Sequence, residues 1–302
     1  MTKTVLILGS GGRFGRNAAQ AFEAAGWAVR RFDRSRDDLA RSARDADVIV
    51  NGWNPLYPDW AEQVPEQTRQ VIHVARETGA TVMIPGNVYV FGQQTPAPWS
   101  ERSSHRAQNT LGRVRIEMEA AYAGSGVQTV ILRAGDFIDT AASGNWFDMI
   151  MTKHLKKGVF TYPGNPDIPH AWAYLPDVAR AAVQLAEIRD RLPVFSDIPF
   201  AGYTLTGREI AAKLSGVVGA NIRLKRFSYL PVYAAVPFWR VARHLLEMRY
   251  LWTTPHWLDG STFETLLPDF RRTPPEQALA SAIPAELVTP QIHPRQPVAA
   301  GH

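Results

Sequence analysis

A glycine-rich segment near the N-terminus constrains the fold of this chain more than any other feature. The aliphatic run Val5-Leu6-Ile7-Leu8 is typical of a buried strand, and Gly9-Ser10-Gly11-Gly12-Arg13-Phe14-Gly15 follows it directly. A helix-like segment comes next and continues through Ala25. A strand, a glycine turn and a helix in this order open a βαβ unit, so we expect a parallel sheet with helices on its faces.

The spacing of the glycines predicts a phosphate-binding turn. Gly9 permits a tight turn, Gly11 or Gly12 lets the backbone approach a pyrophosphate, and Gly15 allows the helix to pack closely on the strand. The helix N-terminus offers amides and a positive dipole end to the phosphates. An ordinary glycine-rich turn is the alternative, but the strand and helix around it favour dinucleotide binding. We assign the whole loop to that site: Gly9, Ser10, Gly11, Gly12, Arg13, Phe14 and Gly15.

An acidic residue follows the second predicted strand, Ala28–Phe32. Asp33 lies eighteen positions beyond Gly15, where a carboxylate would accept hydrogen bonds from the hydroxyls of the adenosine ribose. Arg34 comes next, and its guanidinium would instead receive the 2′-phosphate of NADP. The cofactor is therefore expected to be NAD(P), with NAD favoured over NADP.

Strand-like and helix-like segments alternate up to about Arg133. Further strands are predicted at Val48–Val50, Thr81–Ile84 and Val127–Leu132, and helices around residues 64–77 and 113–122. This pattern predicts an α/β protein with a Rossmann-like doubly wound parallel sheet. Only thirteen residues, 34–46, separate Asp33 at the end of the second strand from Asp47 at the start of the third, which is too few for a helix, a strand and a second crossover. We therefore expect one strand fewer than in the usual nucleotide-binding sheet and a more open adenine pocket on that side.

The later part of the chain predicts a smaller unit. We expect a Rossmann-type domain over residues 1–192, with a substrate-loop insertion at about 136–172, and a smaller mixed substrate domain over 193–302. Thr206 and Glu209 form a capping box that starts a helix, and the tail from Pro284 is expected to be loosely ordered. Aromatic residues in the insertion suit a ring-bearing ligand or cover a core: Trp146, Phe147, His170, Trp172 and Tyr174.

Composition excludes several classes of protein. The formal net charge of +5 comes from 33 basic and 28 acidic residues that form no long run, so a nucleic-acid partner is not expected. The chain has no Cys, and its eight His show no ligand spacing, so no metal site is expected. No apolar run is long enough for a signal peptide or a bilayer span. We expect a cytoplasmic protein with a small-molecule substrate and no membrane partner, and a homodimer remains open.

These motifs, in this order, resemble those of the extended and atypical short-chain dehydrogenase/reductases, which include epimerases, dehydratases and NmrA-like regulators. Gly9, Gly12 and Gly15 match the glycine spacing of the extended family. The segment Asp47 to Trp53 resembles the strand and loop that pass the adenosine half of the cofactor, which implies cofactor contacts for Asn51, Gly52 and Trp53. The motifs around Leu132 to Asp136, Tyr174 to Ala179 and Thr273 to Leu279 are similar to later family motifs.

The resemblance fails at the catalytic residues. Asn87 stands where the family has Ser, Leu111 replaces the Tyr of Tyr-x-x-x-Lys, and Arg115 replaces its Lys. Arg can hold ribose hydroxyls and stabilise a nearby phenolate, but Leu cannot donate a proton. If residues 87–89 are extended, Tyr89 and Asn87 share a face, and Tyr89 would supply the proton. The alternative is that Tyr89 only packs.

Two functions follow from this reading. The first is an NAD(P)-dependent oxidoreductase or epimerase/dehydratase-like enzyme that acts on a hydroxyl or carbonyl carbon with the acid/base set Tyr89, Asn87 and Arg115. The second is an NmrA-like sensor that binds NAD(P) without turnover. The loss of Tyr-x-x-x-Lys favours the sensor, whereas Tyr89 and the full-length substrate region favour the enzyme.

Overall fold

The computed structural model describes residues 2–140 and 142–290. Its strands form a six-stranded sheet, a three-stranded sheet and a two-stranded pair. In chain order the strands are β1 (Thr4–Leu8), β2 (Ala28–Phe32), β3 (Val48–Asn51), β4 (Thr81–Gly86), β5 (Thr129–Arg133), β6 (Asp136–Ile138), β7 (Val159–Tyr162), β8 (His170–Tyr174), β9 (Phe195–Pro199), β10 (Tyr203–Leu205) and β11 (Arg223–Arg226).

Helices cover both faces of the main sheet. In chain order they are α1 (Arg13–Ala24), α2 (Leu39–Ser42), α3 (Trp60–Thr78), α4 (Thr110–Ala123), α5 (Leu175–Glu187), α6 (Gly207–Val218), α7 (Leu230–Ala235), α8 (Arg240–Glu247), α9 (Ser261–Leu266) and α10 (Pro275–Ser281). No helix within residues 2–140 and 142–290 is long and apolar enough to span a bilayer.

The two cores of the main domain follow from the alternation of side chains along the strands. In β1, Val5 and Ile7 pack with residues of α1 and α5, whereas Leu6 and Leu8 pack with residues of α3 and α4. Successive side chains of a strand point to opposite faces, so a strand that is buried on both faces is a continuous aliphatic run. The predicted doubly wound α/β fold is confirmed.

The main sheet lacks the strand whose absence the sequence predicts. Its order is β2-β1-β3-β4-β5-β9, with all pairs parallel, so β2 lies at an edge. Between β2 and β3 the chain forms only the four-residue helix α2, which the Asp38 carboxylate caps by accepting a hydrogen bond from the Arg41 amide. The short linker thus places the adenosine end of the predicted site beside an open sheet edge.

A smaller unit packs at the carboxyl side of the sheet. It contains the sheet β10-β8-β6, the pair β11-β7 and an apolar core in which Phe147, Trp172 and Tyr174 are buried. His170 is fully buried there as well. These four aromatic residues of the insertion therefore cover a core, which was one of the two alternatives that the sequence left open. The capping box that starts α6 is present.

The proposed division at residues 192 and 193 stays a prediction. The main sheet itself continues past that point, because β9 pairs with β5 along its whole length. Of the tail that begins at Pro284, residues 291–302 lie outside the described part of the chain.

A buried ion network joins the end of β5 to α4 and β9. Arg133 is fully buried and donates hydrogen bonds to both carboxylate oxygens of Glu119 and to Asp197, the shortest at 2.6 Å. His105 lies near the same carboxylates, with a ring nitrogen 3.8 Å from Glu119. The side chains of His105, Glu119 and Asp197 are close enough together to surround a cation. The Arg133 guanidinium already pairs with both carboxylates, however, so the cluster is an ion network of the protein itself.

Candidate active site at the carboxyl edge of the sheet

The turns that follow β1 and β3 contact each other closely. Gly9 has a φ of +74°, which an L side chain rarely adopts, and a Cβ added there would lie 2.8 Å from the Gly52 carbonyl oxygen. A Cβ on Gly52 would lie 2.8 Å from the Leu8 carbonyl oxygen. Both glycines are therefore required by backbone contacts between the two turns, and together they place Trp53 beside the glycine loop.

The start of α1 is arranged as an anion site would be. A Cβ on Gly15 would lie 2.2 Å from the Gly9 carbonyl oxygen, whereas a Cβ on Gly11 would meet no atom within 4 Å. Gly12 is the N-cap of α1, and no side chain caps the helix. Gly15 is thus needed for packing, and Gly11 leaves open space next to uncapped amides, where a pyrophosphate would approach.

Asp33 is held in place at the end of β2. One carboxylate oxygen accepts hydrogen bonds from the amide and hydroxyl of Ser35, and the other accepts a hydrogen bond from Arg36 Nε at 2.7 Å. The bonds from Ser35, together with Arg36, lower the pKa of Asp33 to about 2. The carboxylate is therefore charged at neutral pH and fixed at the rim of the cleft.

Arg34 and Trp53 form one wall of the cleft. The Arg34 guanidinium carbon lies 4.7 Å from the centre of the Trp53 ring, a cation–π arrangement. A cleft of about 470 Å³ runs from Gly9 to Asp33 along this wall. A second cleft of about 610 Å³ shares the Arg34 and Trp53 wall and continues past α2. The end of the cleft where the sequence predicts the adenosine is open on the side where the strand is missing.

Three residues that the sequence assigns to the cofactor have side chains engaged elsewhere. Arg13 donates hydrogen bonds to the carbonyl oxygens of Ser143 and Gly144, at 2.7 and 2.5 Å. Phe14 is buried in the core beneath α1. Asn51 is buried and donates a hydrogen bond to the Tyr122 hydroxyl. A contact of these three with a dinucleotide stays a prediction.

Tyr89 lies just beyond β4, but residues 87–89 are not extended, so that premise is wrong. Asn87 Oδ1 accepts a hydrogen bond from the Tyr89 amide at 3.0 Å, and Tyr89 begins a 3₁₀ turn. Asn side chains compete with strand geometry by bonding to the backbone two residues on. The amide group of Asn87 keeps its two N–H donors, and its backbone carbonyl accepts a hydrogen bond from the buried Arg133.

The Tyr89 hydroxyl pairs with Tyr57, a residue that the sequence reasoning missed. The two phenol oxygens are 2.7 Å apart, and both rings are half-buried. Burial raises the pKa of both phenols, while the hydrogen bond opposes the rise of pKa at Tyr57 and adds to it at Tyr89. Both phenols are therefore protonated at neutral pH, and either hydroxyl can donate the hydrogen bond between them. The aromatic cluster around Pro55, directly after β3, was the available sequence signal.

Arg115 stays beside the two tyrosines. Its guanidinium carbon lies 4.0 Å from the centre of the Trp60 ring, and Nη2 donates a hydrogen bond to Asn54 Oδ1 at 2.7 Å. Burial lowers the pKa of Arg115, and its Nε has no hydrogen-bond partner among the described residues. The predicted neighbours Tyr89 and Arg115 are thus brought together, and Leu111 is fully buried in the core.

A buried acid–imidazole pair at β6 and β8 was also missed by the sequence reasoning. His170 Nε2 is 2.7 Å from an Asp136 carboxylate oxygen, and the His170 ring stacks on Trp252 at 4.5 Å. The negative charge of Asp136 contributes to the raised pKa of both Tyr57 and Tyr89. No local spacing signals this pair, since its two residues are 34 positions apart.

The parallel sheet and its glycine turn define a Rossmann protein of the extended short-chain dehydrogenase/reductase kind, as the resemblance implied. The family model for the RmlD substrate binding domain matches residues 2–159, more than half of the chain, so the chain belongs to this family. No curated protein is similar enough in sequence to match the chain.

Solved structures share the fold at low sequence identity. UDP-glucose 4-epimerase from Brucella ovis in complex with NAD is 15% identical, with a TM-score of 0.67, and the match covers 95% of this chain and 99% of that one. A GalE-like L-threonine dehydrogenase from Cupriavidus necator is 20% identical, with a TM-score of 0.69 and coverage of 93% and 98%. The human epimerase family protein SDR39U1 with NADPH is 18% identical, with a TM-score of 0.70 and coverage of 94% and 98%.

Glycine substitutions in the first turn separate packing from ligand contact. Gly15→Val is expected to lose dinucleotide binding by about 100-fold or more and to lower the melting temperature, because its Cβ meets backbone. Gly11→Val is expected to keep the melting temperature, because the space around it is open, and still to weaken binding by obstructing the pyrophosphate. Calorimetric titration with NAD and NADP, beside thermal unfolding, measures both. If Gly11→Val bound the dinucleotides as tightly as the wild type, the pyrophosphate would not contact Gly11.

Proposed function

We propose that this protein is an NAD(P)-dependent oxidoreductase or epimerase/dehydratase-like enzyme that acts on a hydroxyl-bearing or carbonyl carbon of a small molecule. The observation that carries the proposal is the Tyr89 hydroxyl, which is paired with Tyr57 and flanked by Arg115 just beyond the end of β4. The glycine turn follows β1 in the same sheet. Ligands of parallel sheets bind outside the carboxyl ends of the strands, so both groups face the same crevice.

The proposed division of labour uses residues of this chain. The nicotinamide, when bound, accepts or supplies hydride at the substrate carbon. Tyr89 donates a proton to the substrate oxygen, or accepts one from it, and its phenolate form is stabilised by a hydrogen bond from the Tyr57 hydroxyl and by the nearby Arg115 charge. The N–H donors of Asn87 stabilise negative charge that develops on the same oxygen. In this scheme Arg115 replaces a catalytic Lys electrostatically but moves no proton.

The structural neighbours support a sugar nucleotide as the first substrate class to test. One similar structure is a UDP-glucose 4-epimerase with NAD, and another is an L-threonine dehydrogenase, so hydroxyl-bearing carbons are common to both names. We propose incubating the protein with NAD or NADP and nucleoside diphosphate hexoses or hydroxy amino acids. Reduced cofactor would be followed by absorbance and epimers by NMR. Cofactor binding without turnover of any substrate would favour the NmrA-like sensor instead.

The choice between the two cofactors is proposed to rest on Asp33 and Arg34. Asp33→Ala is expected to weaken NAD more than NADP, because it removes the carboxylate that accepts the ribose hydroxyls. Arg34→Ala is expected to weaken NADP more, because it removes an exposed guanidinium that forms no ion pair among residues 2–140 and 142–290. Titration of both cofactors against each variant measures the selectivity. Arg69→Ala, on the exposed face of α3, is the control, and equal effects of Asp33→Ala on both cofactors would contradict the assignment.

A further inference from the structure

One stretch of the chain carries the whole net charge. Residues 222–250 contain six basic residues and a single acidic residue, Glu247, so their formal charge equals the +5 of the full chain. All six basic residues are exposed: Arg223, Lys225, Arg226, Arg240, Arg243 and Arg249. Within residues 2–140 and 142–290 only Arg240 forms an ion pair, with Asp59. The formal charges of all other residues therefore sum to zero.

The same stretch exposes apolar side chains. Seven large apolar residues are exposed among the described residues, and four of them lie between positions 230 and 239. They are Leu230, Tyr233, Phe238 and Trp239, exposed to 77%, 51%, 91% and 45%. We call these four residues and the six basic residues the hairpin patch, after the helical hairpin of α7 and α8; Arg223, Lys225 and Arg226 lie on the preceding strand β11. A concentration of this kind marks an interaction surface, because isolated exposed apolar residues are otherwise scattered.

The exposed side chains are held by a small core of their own. Tyr229, Val232 and Ala242 are buried between α7 and α8, and the two helices pack together over them. Arg249 donates a hydrogen bond to the Tyr233 hydroxyl at 3.2 Å, and Arg243 lies one turn from Arg240 on α8, which begins directly after Trp239. The apolar and basic groups of the hairpin are therefore neighbours on one folded element.

We propose that the hairpin patch docks on the surface of an anionic lipid bilayer. Aromatic and leucine side chains beside arginines are the composition of interfacial anchors, in which rings enter the headgroup region and guanidinium groups contact phosphates. A second copy of this chain fits poorly, because a two-fold contact would oppose two patches that each carry six basic side chains. A purely electrostatic polyanion would leave the four apolar side chains without a partner. The sequence expectation of no membrane partner rested on the lack of a spanning segment, which surface binding does not require.

The test is cosedimentation with vesicles. The wild-type protein should bind vesicles that contain phosphatidylglycerol more tightly than vesicles of phosphatidylcholine alone, and added salt should weaken the binding. Phe238→Ser with Trp239→Ser should reduce the partition coefficient by about tenfold or more. Arg226→Glu with Arg243→Glu should reduce it by at least about 25-fold, from about fivefold for each basic charge lost.

The control is a matched pair outside the hairpin patch, Arg191→Glu with Val194→Ser, which changes an exposed basic and an exposed apolar residue near the start of β9. It should bind as the wild type does. Thermal unfolding of all variants should be unchanged, as expected for exposed positions. Equal binding to both vesicle types, binding to neither, or an equal loss in the control would overturn the proposal. The proposal would also be overturned if the wild type formed a dimer and did not bind vesicles, and if the Phe238→Ser and Trp239→Ser variant were monomeric.

Discussion

Tyr89→Phe is expected to lower the turnover rate by about 10²–10⁴-fold, the usual contribution of general acid/base catalysis, with the dissociation constant of the cofactor nearly unchanged. The reason is the position of the hydroxyl, which lies 2.7 Å from Tyr57 and has no other hydrogen-bond partner within residues 2–140 and 142–290. The ring packs with Trp60 and would keep its place in the variant. Steady-state kinetics on the substrate found by the proposed screen, with titration of the cofactor, measures the two quantities.

Two further variants make this result specific. Tyr57→Phe should lower the rate as well, because Tyr89 then loses its hydrogen bond to the Tyr57 hydroxyl. Arg115→Ala should weaken both turnover and cofactor binding. Tyr250→Phe is the matched control, since its hydroxyl reaches only the Tyr89 carbonyl oxygen at 3.4 Å. Unchanged turnover in Tyr89→Phe would exclude it as the proton donor and would leave the sensor as the stronger proposal.

Arg133→Met is expected to lower the free energy of unfolding by about 3–5 kcal/mol, the usual result of removing one partner of a buried ion pair. The variant leaves Glu119 and Asp197 close together in the interior without a neutralising charge. It also removes the hydrogen bond to the Asn87 carbonyl, so the turn that carries Tyr89 should loosen. Urea denaturation gives the stability.

An exposed ion pair provides the comparison for that measurement. Arg208 and Asp167 form a pair at 2.7 Å in which both side chains are more than half exposed, so Arg208→Met should cost no more than about 1 kcal/mol. Equal losses in the two variants would mean that the Arg133 network contributes no more than a surface pair. Arg133→Lys should fall between them, because Lys keeps the charge but not the planar fork that binds two carboxylates.

The main domain was largely readable from the sequence because its signals are local. The aliphatic run at β1, the glycines after it and the short linker after β2 are each signals within one segment of the chain, and each predicted the structure that forms there. The predicted and observed ends of the first five strands differ by at most two residues. The pairing of β9 with β5 could not be predicted, because the two strands are far apart in sequence and no local pattern identifies the partner of β9.

The candidate site was less readable, because its contacts link distant positions. Tyr57 and Tyr89 are 32 residues apart, and the contact of Arg13 with Ser143 spans 130. The prediction that residues 87–89 are extended was wrong for a different reason. Val88 and Val90 favour a strand by side-chain type, but the Asn87 side chain bonds to the Tyr89 amide and closes a turn instead.

The shortened sheet has a consequence for how copies of the molecule meet in solution. With no strand beyond it, β2 pairs only with β1 and leaves one row of backbone N–H and C=O groups unpaired within the sheet, which is a template for cross-molecular pairing and aggregation. Arg30 and Arg31 are exposed on this strand, and Arg30 donates hydrogen bonds to the carbonyl oxygens of Ser42 and Arg44. Arg31 forms an ion pair with Glu23 at 2.8 Å, so both exposed arginines of the edge strand are held by neighbouring groups of the same chain. Charged side chains on an edge strand disfavour pairing with another chain, so the absence of a further strand does not by itself imply aggregation.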